Sequence, residues 1–153
     1  MSKATFADFK PQLYEFEVEA PDGGTLEFSM RALTPAELLE IDLNHPRPQP
    51  RVVDFEPPGK KGGEPAPIYE NEDKAKQEQR DEWRRKINAW LQEHRNRQIL
   101  AALDMDVPGE TPEEQIEALS TLGTWAIAAF SRALDLIVST STEALKARPF
   151  RTD

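Results

Sequence analysis

Leu13-Tyr14-Glu15-Phe16-Glu17-Val18-Glu19 sets Tyr14, Phe16 and Val18 against Glu15, Glu17 and Glu19 in strict alternation. Successive side chains of a strand point to opposite faces, so this run reads as a half-buried β-strand. Pro21-Asp22-Gly23-Gly24 follows, a turn in which glycine supplies positive φ and proline presets the entry. A second alternating run then places Leu26, Phe28 and Met30 on one face and Glu27, Ser29 and Arg31 on the other. The two runs predict an antiparallel hairpin. A lone hairpin is marginal in water and its apolar face needs cover.

The next segment is the expected cover. Thr34-Pro35-Ala36-Glu37 has the capping-box pattern, with Thr34 as N-cap, Pro35 at the first helical position and Glu37 three residues after the cap. Leu38, Leu39, Ile41 and Leu43 give the helix an apolar surface, and His45-Pro46 ends it. From His45 to Tyr69 periodicity disappears: seven of the chain's 13 prolines fall here, with Gly59, Gly62 and Gly63. That composition predicts an extended connection between a hairpin module and a helical module, with Val52, Val53 and Phe55 as its one apolar cluster.

A long helix is expected from about Glu72 to Leu103, where neither proline nor glycine occurs. Residues 72–97 carry six acids and eight bases, so this segment is locally basic. Pro108-Gly109 interrupts the chain, Thr111-Pro112-Glu113-Glu114 repeats the capping pattern, and a further helix ends near Gly123. Thr124 starts a last helix with an apolar face of Trp125, Ile127, Phe130, Leu134, Ile137 and Val138, suited to packing against the long helix. The expected fold class is α+β, mostly α: an N-terminal antiparallel β-hairpin followed by a small helical module of three to four helices. The expected divisions are a flexible N-terminus at 1–11, hairpin plus short helix at 12–44, a Pro/Gly-rich linker at 45–70, the helical module at 71–145 and a flexible tail at 146–153.

Composition narrows the function. Of 153 residues, 31% are charged and 38% hydrophobic, and the net charge is −9. Such an acidic balance disfavours nucleic-acid binding, which needs a surplus of Lys and Arg. Cysteine is absent, which removes disulfides and thiolate metal sites. No apolar run approaches the ~18 residues of a membrane span, and Met1-Ser2-Lys3 leads into no signal-peptide core, so a soluble, cytosolic protein is expected.

Candidate chemistry is sparse. His45 and His94 are expected in different modules, each solvated or capping, and Glu93-His94 lacks the helical spacing that aligns two metal ligands. Gly59-Lys60-Lys61-Gly62-Gly63 lacks the spacing of a phosphate loop and reads as a flexible basic kink. Ser139-Thr140-Ser141-Thr142 has no histidine or nucleophile elbow beside it and reads as the frayed end of a helix. Glu113-Glu114 sits where a helix dipole favours acid. No enzyme, cofactor or metal is expected. Trp83 and Trp90, seven apart, share a helical face with Ile87 and Leu91. Core packing explains such a stripe; a partner-binding face is the alternative, because tryptophan is enriched at interface hot spots. Trp83, Ile87, Trp90 and Leu91 are therefore the candidate binding residues.

The order of features resembles a known family. The strand pair ends in Met30-Arg31-Ala32-Leu33-Thr34-Pro35-Ala36-Glu37-Leu38-Leu39-Glu40, a proline-rich connection leads to Tyr69-Glu70-Asn71-Glu72-Asp73, and Ile99-Leu100-Ala101-Ala102-Leu103 precedes Val107-Pro108-Gly109-Glu110-Thr111-Pro112-Glu113-Glu114-Gln115-Ile116. This is similar to the tail assembly chaperones of long-tailed, siphovirus-like bacteriophages and prophages, over roughly residues 12–140. The resemblance implies a non-enzymatic protein of the host bacterial cytoplasm. Such a protein binds the helical tape-measure protein, keeps it soluble, helps recruit tail-tube protein, and is absent from the mature virion. A structural adaptor or tail-completion subunit retained in the particle is the alternative. Self-association is compatible with either.

Overall fold

The computed structural model describes residues 3–59 and 62–146, with side chains described through Thr140. After a 3-10 turn at Phe6–Phe9 come β1 (Leu13–Glu19), β2 (Thr25–Arg31), α1 (Pro35–Asn44), β3 (Val52–Glu56), β4 (Ala66–Tyr69), α2 (Gln77–Ala102), α3 (Pro112–Ser120) and α4 (Thr124–Lys146). The fold is α+β and mostly α, with two antiparallel strand pairs. The chain forms two compact units: one from residues 1–41 and 95–153, the other from Asp42–His94.

In the first unit, β1 and β2 pair as the alternation requires, with Tyr14 opposite Met30, Phe16 opposite Phe28 and Val18 opposite Leu26. The turn closes through Ala20, whose N–H donates to Gly24 O at 2.7 Å, and Gly23 adopts φ 88° there. The cover of the hairpin is not α1, which buries no residue. Phe28 and Met30 pack instead with Ile99 and Ala102 at the end of α2, Leu103 just past it, Leu119 of α3, and Ala126, Phe130, Ala133, Leu134 and Ile137 of α4. Phe28 stacks on Phe16 with centroids 5.5 Å apart and meets Phe130 edge-on at 5.0 Å. The chain just past α2 also bonds the edge of β2, the Asp104 N–H donating to Ser29 O at 2.9 Å. Hairpin and C-terminal helices thus share one core, which corrects the expected division into a hairpin module and a separate helical module.

α1 is tied on by polar contacts. Arg31 grips Glu37 with both Nη atoms, at 2.6 and 2.5 Å, and Nη2 also donates to Ala101 O at 3.2 Å. Glu37 closes the capping box: its N–H donates to Thr34 Oγ1 at 3.2 Å and its carboxylate accepts from the Thr34 N–H at 3.1 Å. The Arg31 bonds, reinforced by those from Thr34, outweigh partial burial and hold the Glu37 carboxyl at about 2.

The second unit contains the largest departure from expectation. Residues 45–70 are not an unstructured linker, because β3 and β4 pair antiparallel within them, Val52 opposite Tyr69 and Phe55 opposite Pro67. Proline is tolerated since both strands of a two-stranded sheet are edges, where a missing N–H need not break the ladder. Ile68 and Ala75 are buried in this unit, and with them the Glu70 side chain. Turns at 69–75 delay α2 to Gln77. Lys60 and Lys61 of the basic kink lie outside the described residues, as does nearly all of the expected tail at 146–153. Ser139-Thr140-Ser141-Thr142 is not a helix end, since α4 continues to Lys146.

Candidate functional site

Three features of the described residues have the makings of a site. The first, in the second unit, corrects the expectation that the two histidines lie apart. His45, one residue past α1, meets His94 of α2 with Nδ1 atoms 3.3 Å apart. Each Nε2 faces a carboxylate: His45 lies 2.7 Å from Glu93 Oε2, and His94 lies 3.2 Å from Asp42 Oδ1. Trp90 stacks on both rings, with centroids 5.4 Å from His45 and 4.5 Å from His94. Its Nε1–H donates to His45 O at 3.3 Å, and the Arg47 guanidinium carbon lies 5.9 Å from its ring centre.

This arrangement bears on the residues expected to bind a partner. Trp83, Ile87 and Trp90 are half-buried, while Leu91 is 49% exposed. Trp90 stacks within its own unit, and Lys86 Nζ lies 5.9 Å from the Trp83 ring centre. The helical stripe read from the sequence is therefore partly engaged with its own chain.

The second feature is the apolar surface of α1. Leu38, Leu39 and Leu43 are 41%, 59% and 71% exposed. Leu39 and Leu43 are four apart and lie on one face of the helix. The sequence showed these leucines plainly; their role as cover for the hairpin was the wrong inference, because α4 provides that cover.

The third feature is a groove of about 580 Å3 in the first unit, lined by Glu15, Glu17, Glu27, Ser29, Asp104 and Met105 together with Phe16 and Phe28. Glu17 and Glu27 are directly opposed across the strand pair. Like charges at that spacing destabilise a hairpin.

Elsewhere in the second unit the Glu70 carboxylate accepts from the Arg51 N–H at 3.0 Å and lies 3.6 Å from Lys86 Nζ and 3.5 Å from Arg51 Nε. Burial pushes its pKa upward, but the Arg51 N–H and the cations of Lys86 and Arg51 together outweigh burial and hold it below the ordinary value. Among the described residues, no group of three or more His, Asp or Glu side chains is placed to hold a metal ion, and no single helix is long and apolar enough to cross a membrane. No family model matches the chain, and no curated protein or solved structure matches it.

Proposed function

We propose that this chain is a non-enzymatic tail assembly chaperone of a long-tailed bacteriophage or prophage, acting in the host bacterial cytoplasm. On this reading it binds helical segments of the tape-measure protein, keeps them soluble and helps bring tail-tube protein to them. The sequence resemblance supplies the partner class, and one observation carries the binding mode: α1 is a helix without a buried residue that nonetheless displays Leu38, Leu39 and Leu43. An apolar helix face of that kind is what an amphipathic partner helix packs against. The net charge of −9 keeps a protein with such a surface dispersed.

Co-expression with the tape-measure protein of a long-tailed bacteriophage tests the reading. The partner should be insoluble alone and elute with this chain from size exclusion as a soluble complex. Leu39→Asp with Leu43→Asp should abolish that capture. Both side chains are exposed, so folding should change by only about 0.5 kcal/mol per site. Capture by the double variant at the wild-type level would overturn the role given to α1.

A second reading is a structural adaptor retained in the mature particle. The outer edge of β1 favours it, since no further strand pairs there among the described residues. An open edge can extend a partner's sheet. Mass spectrometry of purified particles separates the two readings: an adaptor is present at fixed copy number, and a chaperone is missing.

A further inference from the structure

Two imidazoles that meet nitrogen to nitrogen can be satisfied in only a few ways. A carboxylate only accepts, so His45 Nε2, facing Glu93, and His94 Nε2, facing Asp42, each carry a hydrogen. The Nδ1 atoms, 3.3 Å apart, then decide the state of the pair. If both rings are neutral, two lone pairs oppose each other. If both are charged, two N–H groups collide. One hydrogen between them satisfies both, giving an imidazole and an imidazolium that share one positive charge.

The surroundings favour that intermediate state. The His45 and His94 side chains are only 12% and 14% exposed, so water is a poor substitute for the missing partner in either extreme. Asp42 from α1 and Glu93 from α2 balance the first positive charge. Against a second stands Arg47, whose guanidinium lies near the Trp90 ring that both imidazoles stack on.

We propose that His45 and His94 hold a single proton between their Nδ1 atoms, a clasp that fastens the segment leaving α1 to α2 and loosens when the pair gains or loses that proton. The inference is independent of the assembly role, since it concerns only how the second unit closes.

Nitrogen-15 NMR of the full-length chain, labelled in histidine and kept in EDTA, tests it. Near neutrality a scalar coupling should connect the two Nδ1 atoms across the hydrogen bond. His45→Asn should remove the coupling and speed exchange of the Trp90 indole N–H ~10-fold, the size of one lost hydrogen bond. Absence of that coupling in the folded wild-type chain, with Trp90 indole exchange unmoved by His45→Asn, would overturn the proposal. So would a metal-free chain that lacks the coupling and fixes its Nδ1 signals only on addition of Zn2+, for the gap would then be a metal site.

Discussion

Removing a carboxylate from water is unfavourable unless hydrogen bonds and cations replace the lost hydration, and Glu70 depends on that replacement. Its partners are Arg51, through main-chain N–H and side chain, and Lys86. Together they hold its carboxyl below the ordinary 4.5 despite burial. A lowered folded-state pKa contributes stability that is fully present above the unfolded value and is lost as pH falls through the folded one. The second unit should therefore weaken progressively below about pH 5, as the unfolded chain begins to take up the proton that folded Glu70 resists. Glu70→Gln should lower stability by about 1–3 kcal/mol at pH 7, the usual penalty for a buried group left without its partner. Denaturant titrations at pH 7 and pH 3 check this, and the gap between wild type and variant should shrink at the lower pH. Nothing in the sequence around Glu70 singles it out among 28 acids. Its meaning comes from Arg51 and Lys86, brought to it by the β3–β4 pairing and by α2. The histidine pair was hidden for the same reason: 49 residues separate His45 from His94, and local patterns carry no information about such a meeting.

At the scale of elements, features set by local chemistry could be read directly. The period-two alternation gave β1 and β2 with their turn. The Thr-Pro-x-Glu starts located α1 and α3, and at α3 the Thr111 side chain accepts from the Glu114 N–H. β3 and β4 escaped because prolines masked their pattern, although Val52, Val53 and Phe55 are typical strand residues. In α4 the periodic face was right at Phe130, Leu134 and Ile137. The small Ala126 and Ala133 are buried as well, whereas Val138 is 58% exposed. Side-chain apolarity alone does not say which flank of a stripe meets a neighbour. The break before α3 is legible and also strict. Gly109 has φ 131°, and a Cβ there would lie 2.8 Å from Gln115 N and 2.9 Å from Glu114 Cβ. Gly109→Ala combines that collision with a backbone conformation that L-residues avoid, and should cost about 1–3 kcal/mol. A lowered denaturation midpoint with unchanged slope would be the measured outcome. An unaltered midpoint would mean that the start of α3 shifts freely to make room.

For the whole molecule, the sequence suggested modules in chain order, and the structure instead assembles its first unit from two separated stretches. The physical reason is the supply of apolar surface. The hairpin offers Phe28 and Met30 but cannot bury them alone. α1 leaves its leucines outside, and the residues that complete the core arrive only with Ile99, Leu103, Leu119 and the buried face of α4. Closing so long a loop costs conformational entropy before these contacts form, so hairpin and C-terminal helices should be stable only together. Phe130 tests this, because it meets Phe28 edge-on and is 7% exposed. Phe130→Ala should cost about 3–5 kcal/mol through the transfer and cavity terms. Hydrogen exchange should register that loss equally at the amides of Phe16 and Phe28 in the hairpin and of Leu134 in α4, since all three would open in one cooperative step. If the hairpin amides kept their protection while α4 lost its own, strands and helices would be separate folding units, and the modular division expected from the sequence would hold for stability even though it fails for contacts.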